Sequence, residues 1–191
     1  MAEIEDTITY LEMLARPSAP RPRPPLDVLA LMRADPPTVS FYRYLYDAVG
    51  EKWLWFERRR LSEDELAAII HDPEIEIYVL YVRGVPAGFF ELDAREKRET
   101  RLSYLGLIPE FIGRSLGAYL LSAAIDRAWS RGIARLWLTT SRFDHPRALQ
   151  LYQQAGFVVY AQRRIRFEDP RLSGFLPKTL SHPLLPPLDG A

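Results

Sequence analysis

The sequence predicts an α/β (α+β) fold in which a central, mixed and mostly antiparallel sheet is flanked by helices. Three apolar runs of strand length follow one another between residues 75 and 108, separated by short turns, as in an antiparallel meander. A strand–helix–strand–helix–strand order comes next, and each of its helices ends at a glycine. The 191 residues, 48% of them hydrophobic, suffice for one domain with a substantial core.

The first part of the chain predicts one strand and two helices. Thr7–Leu14 has the composition of a strand. The proline-rich stretch 16–25 after it is expected to be extended, because proline fixes φ and lacks an N–H donor. Each helix begins at a capping residue, and Ser62 with Glu65 three positions later forms a capping-box pattern. The helices run from Thr38 or Ser40 to Val49 and from Ser62 to about His71.

The remaining chain carries the rest of the sheet and two further helices. The predicted strands are Ile75–Val82, Gly88–Asp93, Leu102–Ile108, Ile133–Thr140, Phe157–Tyr160 and Arg164–Phe167. The predicted helices are Ser115–Arg131 and Pro146–Ala155. Because the first of these strands is apolar at almost every position, we expect it to be buried on both faces.

Composition excludes several classes of function. The 25 basic and 25 acidic residues leave no net charge to attract nucleic acid or an anionic membrane. The chain has no cysteine, and its three histidines are scattered, so no metal site is expected. The N-terminus is acidic, without the apolar run of a secretory signal, and the apolar stretches are too short to span a bilayer. We expect a soluble cytoplasmic protein.

The segment Leu105–Ala118, LGLIPEFIGRSLGA, indicates an anion-binding turn. A strand ends at Ile108, and a loop with Gly113 and Gly117 then begins a long helix. Unpaired N–H groups and the positive end of the helix dipole converge at such a junction, and glycines admit a phosphate close to the backbone. The alternative is a plain strand-to-helix turn.

The segment His145–Phe157 carries a helix whose apolar face includes a tyrosine. Ala148, Leu151, Tyr152 and Ala155 fall at i, i+3, i+4 and i+7 and therefore share one face. Tyr152 is thus predicted to point inward, toward the sheet. Tyr152 either belongs to a functional site or is an ordinary core aromatic residue whose hydroxyl group has a hydrogen-bond partner.

In this order and at this separation, the two segments resemble the GCN5-related N-acetyltransferase (GNAT) family, over about Glu74 to Tyr160. The resemblance implies a GNAT-like acyl-CoA N-acyltransferase fold over residues 38–167, with a lead-in of residues 1–37 and a proline-rich tail of residues 168–191. It implies transfer of an acetyl group from acetyl-CoA, a co-substrate, to a primary amine on a small molecule or a protein. No metal takes part.

The family's loop motif, Gln/Arg-x-x-Gly-x-Gly/Ala, falls on residues 112–117 and implies the cofactor-binding residues. These are Leu107, Ile108, Ile112, Gly113, Arg114, Ser115, Leu116, Gly117, Ala118 and Tyr152. Three positions depart from the family. Ile112 replaces Gln or Arg, Ser115 replaces the first motif glycine, and His145 replaces a frequent asparagine. We expect a serine to adopt helical φ and ψ at position 115.

The resemblance gives Tyr152 the role of protonating the leaving thiolate. The base that deprotonates the amine is predicted to be Glu91, the only acid in the apolar stretch Val85–Leu92, where burial would raise the pKa of its carboxyl group. The alternative is a solvent-facing strand residue. Asp144 and His145 are the next candidates for the base.

Several readings stay open. The fold could hold acyl-CoA as a non-catalytic sensor, or serve as a scaffold whose proline-rich ends recruit partners. The aromatic residues 41–56 either form the acceptor site or pack the N-terminal helices. Arg58–Arg60 either bind a carboxylate of the acceptor or the CoA 3′-phosphate, or form a solvated charged run. Edge strands make a homodimer possible.

Overall fold

The computed structural model describes residues 3–18 and 28–188, and seven strands among these residues form one sheet. The strands are β1 (Glu3–Met13), β2 (Leu29–Arg33), β3 (Ile75–Val82), β4 (Val85–Asp93), β5 (Glu99–Leu107), β6 (Arg135–Ser141) and β7 (Val158–Glu168). The helices are α1 (Val39–Gly50), α2 (Glu63–Ile70), α3 (Leu116–Trp129) and α4 (Ala148–Gln154), with 3₁₀ turns at Glu51–Trp53, Arg58–Arg60 and Pro109–Phe111.

The strand order is β2-β3-β4-β5-β6-β1-β7. Only the pair β5–β6 is parallel among these neighbours, and all others are antiparallel. Helices lie on both faces. α3 shares a buried cluster with β4 and β6 on one face, and α1 and α2 share another with β3 and β4 on the opposite face. The predicted mixed, mostly antiparallel sheet flanked by helices is therefore confirmed.

Two strand predictions were wrong. The segments Phe157–Tyr160 and Arg164–Phe167 belong to one continuous strand, β7, which pairs with β1 along almost its whole length. The polar residues between them resemble a turn in the sequence, but they lie on an exposed edge strand, where Gln162 Nε2 donates to Thr9 Oγ1 at 3.1 Å. β2 was not predicted, since it is a short and largely exposed edge strand.

The first strand of the chain lies inside the sheet, between β6 and β7. Ile8 pairs with Ser141 on one side and with Arg163 on the other. This insertion brings the N-terminal residues next to the end of β6. The chain after β7 packs there as well, since Leu176 is buried in a cluster with Ile4, Leu54, Phe56 and Phe143. The domain limits stay a prediction, and residues 19–27 of the proline-rich stretch lie outside the described part.

The parallel strands β5 and β6 pair over four residues only and then separate. Their register ends at Leu102 opposite Leu138. At this point Ser103 is an extra residue in β5, because the pairing with β4 shifts between Leu102 and Tyr104. A bulge of this kind bends a strand and increases its twist. β5 therefore leaves β6, and an opening forms in the middle of the sheet.

Candidate active site

A cavity of about 1110 Å³ occupies the opening between β5 and β6. Its lining residues come from both faces of the sheet, so the cavity crosses the sheet. On the α3 face, its wall is the loop before α3 together with α4. On the α1 face, the wall includes aromatic and charged side chains, namely Trp53, Trp55, Phe56, Arg58, Arg101 and Tyr104. The cavity thus has walls on both faces of the sheet.

The loop before α3 has the geometry of an anion-binding turn. Gly113 has a φ of +87° and Ser115 a φ of +59°, both in the left-handed region. Alternating left-handed residues turn successive N–H groups toward one concave side. α3 begins at Leu116, and its positive end faces the same place. The loop therefore presents N–H donors and a favourable potential to an anion at the cavity.

Ser115 differs from its prediction. It adopts left-handed values, φ +59° and ψ 11°, instead of the helical values expected for a serine, and its side chain makes no capping hydrogen bond to α3. The loop must reverse direction before the first helical turn, and this reversal needs a positive φ. The family's glycine suits this conformation, whereas a serine has a Cβ that crowds the backbone.

Replacing Ser115 with glycine is therefore expected to stabilise the fold by about 1 kcal/mol, after the greater freedom of glycine in the unfolded chain is subtracted. Urea unfolding of the Ser115→Gly variant measures this change. The matched control is Ser122→Gly within α3, which is expected to destabilise by about 0.5 kcal/mol, because glycine disfavours a helix interior. A loss of stability in both variants would contradict the strain at Ser115.

The backbone around this loop has room for a ligand. A Cβ added at Gly113 would meet nothing within 4 Å, and one added at Gly117 would make only ordinary contacts with Leu151 and Leu107. On the side of β6, the edge of β5 beyond Leu102 pairs with none of the strands that the structure describes. An extended chain with amide groups fits this edge as an added strand, as the pantetheine arm of CoA requires.

The structure brings most of the predicted cofactor-binding residues to the cavity wall. The lining includes Leu107, Ile112, Gly113, Ser115, Leu116, Gly117, Ala118 and Tyr152. Ile108 and Arg114 do not line it. The Ile108 N–H donates to the Ala87 carbonyl oxygen at 2.9 Å, and the Arg114 guanidinium lies over the Phe111 ring. Contacts of these residues with a cofactor stay predictions.

Tyr152 lies in α4 at the cavity, 8% exposed. Its ring packs edge-on against Phe157, but its hydroxyl group has no hydrogen-bond partner among the residues that the structure describes. Burial and the nearby Asp144 carboxylate raise the pKa of Tyr152 well above its ordinary value. The hydroxyl group therefore stays protonated near pH 7.

Asp144 borders the same cavity, in the turn between β6 and α4. Its Oδ2 accepts from Thr140 Oγ1 at 2.6 Å and from the Ser141 N–H at 2.9 Å, while Oδ1 receives a longer contact of 3.4 Å from Trp55 Nε1. Burial raises the pKa of this carboxyl group, against these hydrogen bonds. Asp144 is thus a fixed carboxylate with one oxygen less engaged, which suits a proton acceptor.

His145 also lines the cavity but has the contacts of a helix-entry residue. Its Nδ1 accepts from the Arg147 N–H at 3.1 Å, and its ring packs edge-on against Trp53. Burial, with a smaller contribution from Arg147, lowers the pKa of His145, so the ring is neutral near pH 7.

Glu91 is fully buried in β4 and does not line the cavity. Its Oε1 accepts from Arg58 Nη2 at 2.7 Å, and its Oε2 accepts from the Tyr42 hydroxyl group at 2.5 Å. The solvent-facing alternative for this residue was wrong. Its role as the base stays a prediction, although both carboxylate oxygens are bound by these partners.

Sequence reasoning missed Asp6 and Arg101, which both line the cavity. Asp6 is buried, and its Oδ2 accepts from the Ser141 hydroxyl group at 2.7 Å. No local pattern indicates that the first strand pairs with β6, more than 130 positions later in the chain. Arg101 is one of three arginines in the charged stretch 95–101, whose composition is typical of a solvent-exposed turn.

Comparison with known proteins agrees with this geometry. The sequence model of the acetyltransferase (GNAT) family matches residues 32–157. An uncharacterized N-acetyltransferase of Methanocaldococcus jannaschii is 29% identical over 127 residues, which cover 62% of this chain and 50% of that protein. One of Mycobacterium tuberculosis is 28% identical over 111 residues, which cover 58% of this chain and 70% of that protein. This chain thus spans about half the length of the first relative.

Solved structures share the fold. A GCN5-related N-acetyltransferase from Sphaerobacter thermophilus aligns with a TM-score of 0.64 and 20% identity, covering 87% of this chain and 52% of that one. The ribosomal-protein-S18-alanine N-acetyltransferase of Escherichia coli aligns with a TM-score of 0.58 and 19% identity, covering 73% of this chain and 93% of that one. In residues 3–18 and 28–188, no helix has the length and apolar content needed to span a membrane. From the family match and the shared fold, we conclude that this chain belongs to the GNAT family of acetyltransferases.

Proposed function

We propose that the protein transfers an acetyl group from acetyl-CoA to a primary amine, by direct attack of the amine on the thioester carbonyl carbon. The observation that supports this proposal is the cavity through the sheet, which joins the anion-binding loop, the free edge of β5, Tyr152 and Asp144. A co-substrate held from the α3 face and an amine entering from the α1 face would meet between β5 and β6.

The backbone of this chain is suited to hold the co-substrate. The N–H groups around Gly113 to Ala118 would bind the pyrophosphate, helped by the dipole of α3. The unpaired edge of β5, ending at Leu107, would bind the amides of the pantetheine arm. Acetyl-CoA would supply the activated carbonyl carbon, and an N–H group of the β5 edge would stabilise the charge that develops on the carbonyl oxygen.

Two side chains would move the protons. As the new C–N bond forms and the C–S bond breaks, the amine loses a proton and the departing sulfur gains one. Tyr152 would donate to the sulfur, since its hydroxyl group is protonated near pH 7 and has no competing partner among the described residues. We assign the amine proton to Asp144 in preference to Glu91, because Asp144 borders the cavity and Glu91 does not.

Thermal unfolding with and without acetyl-CoA tests the proposal first. A ligand at a hundredfold excess over its Kd stabilises the folded state by about 2.7 kcal/mol. For a domain of this size we therefore expect Tm to rise by about 5 °C or more. Free CoA should also raise Tm, and ATP should not. An amine panel with detection of the released thiol follows.

The outcomes separate the open readings. A rise in Tm with thiol release that depends on an amine supports the enzyme. A rise in Tm without thiol release for any amine supports the non-catalytic sensor. No rise at millimolar acetyl-CoA means that Ile112 and Ser115 have disabled the loop, and the scaffold reading then takes precedence.

The pH dependence of turnover tests Asp144. A base works only when deprotonated, so kcat/KM falls as the pH drops through its pKa. Because the pKa of Asp144 is raised, this fall should occur at a higher pH than the ordinary aspartate value of about 3.9. Asp144→Asn should lower kcat/KM about 10²-fold and remove this limb. His145→Gln is the control and should keep it. An unchanged profile in Asp144→Asn would exclude the assignment.

A further inference from the structure

Resting on the acetyl transfer proposed above, we propose that the acceptor amine carries an anionic group, in the simplest case a carboxylate, and that Arg101 binds it. Arg101 lies on β5 and lines the cavity on the α1 face, over the Trp137 ring. Its Nη2 makes one long contact of 3.4 Å, to Thr139 Oγ1. Its Nε is buried and has no acceptor among the described residues.

The other arginines near this end of the cavity are neutralised. Arg58 Nη2 lies 2.7 Å from Glu91 Oε1, and Arg95 Nη2 lies 2.6 Å from Asp93 Oδ2. Asp93 is near enough to attract Arg101, but its carboxylate oxygens bond to Arg95. In the described part of the chain, no carboxylate lies within ion-pair distance of Arg101. Its positive charge is therefore available to a ligand in the cavity.

A carboxylate fits Arg101 better than a neutral polar group does. A guanidinium group offers two Nη groups side by side in one plane, and the N–H donors of this fork match the two oxygens of a carboxylate. The Nη groups of Arg101 make only one long contact in the described part of the chain, so a carboxylate that accepts from them gains affinity. The Trp137 ring below the guanidinium group limits its movement and keeps the fork presented to the cavity.

On the α1 face, the end of the cavity away from Arg101 is acidic. Asp6 and Asp144 meet at Ser141, whose hydroxyl group donates to Asp6 and whose N–H donates to Asp144. Arg101 contacts Thr139, two residues earlier on the same face of β6. Two residues along a strand span about 7 Å. The cavity thus suits an acceptor whose amine, near the acids, is several bonds away from its anionic group.

Arg101 is poorly placed to hold the phosphates of CoA instead. The anion-binding loop leads into α3, on the face where Leu116 packs. Arg101 stands on the other face of β5, next to Leu102, which points into the α3 cluster. The anion that Arg101 binds should therefore belong to the acceptor.

Three matched amines test the proposal with the full chain and acetyl-CoA: 5-aminopentanoate, its amide and n-pentylamine. We expect the wild type to prefer the carboxylate over the amide in kcat/KM by about 30-fold, since a charge-assisted pair is at stake. Arg101→Met should reduce this ratio to about one with little change for n-pentylamine, and Arg101→Lys should retain part of it. Arg166→Met, which removes an exposed charge outside the cavity, should retain all of it.

A binding measurement separates this proposal from the acetyl transfer itself. 5-Aminopentanoate should raise Tm of the wild type and not of Arg101→Met, whether or not any thiol is released. The proposal fails if the wild type shows no preference for the carboxylate, or if Arg101→Met lowers kcat/KM for all three amines equally. It also fails if that variant weakens only acetyl-CoA binding, which would assign Arg101 to the co-substrate.

Discussion

Replacing Tyr152 with phenylalanine should lower kcat by about 10²- to 10⁴-fold, the usual contribution of a positioned general acid. The stability of the fold should hardly change. In the described residues the Tyr152 hydroxyl group has no hydrogen-bond partner, so its removal breaks no hydrogen bond in the protein. Its ring contact with Phe157 is kept by the phenylalanine. A large loss of rate without a loss of stability would show that the Tyr152 hydroxyl group serves catalysis and not the fold.

The measurement is kcat by thiol release, with Tm and the Kd of acetyl-CoA determined on the same samples. An activated aryl thioester provides a further test, because its thiolate leaves without protonation and should restore much of the lost rate. Tyr42→Phe is the matched control, since the Tyr42 hydroxyl group donates to the buried Glu91. It should destabilise by about 1–3 kcal/mol. A Tyr152→Phe variant that unfolds earlier but turns over normally would place Tyr152 in the core.

Local sequence signals predicted the elements that depend on local physics. The capping box of Ser62 and Glu65 forms as expected, with both reciprocal hydrogen bonds present. β3 is largely buried on both faces, as its continuous apolar composition indicates. The turn before α3, which a proline and two glycines mark in the sequence, lies at the cavity.

The features of the fold and of the site that local signals did not predict depend on contacts between distant parts of the chain. The insertion of β1 between β6 and β7 places Asp6 beside Ser141, a pairing that no local pattern specifies. The left-handed Ser115 follows from the path of the loop and not from the preference of serine. The partner of Glu91 is Arg58, which the sequence places in a run of three arginines with no sign of burial.

Glu91 should prove essential to the stability of the fold. Removing one member of a buried ion pair leaves the other charged group buried without compensation, which costs about 3–5 kcal/mol. Glu91→Leu would leave the Arg58 guanidinium group in this state, and the Tyr42 hydroxyl group would lose its acceptor. Urea unfolding should therefore show a loss of about 3 kcal/mol or more. The double variant Arg58→Met/Glu91→Leu should recover much of this loss, because the two positions are coupled.

A further variant, Glu91→Gln, decides whether Glu91 is also the base. If the carboxylate only holds Arg58 in place, Glu91→Gln should lose stability, and its kcat, measured well below its Tm, should fall less than that of Asp144→Asn. The pH profile would then keep its acidic limb. The other outcome is that Glu91→Gln keeps its stability, loses the acidic limb of the pH profile and has a kcat lower by about 10²-fold. In that case Glu91 accepts the proton of the amine. The buried pair with Arg58 would then have to open during turnover, because both oxygens of Glu91 are engaged in the closed arrangement. The structure favours the first outcome, since Asp144 reaches the cavity without any such rearrangement.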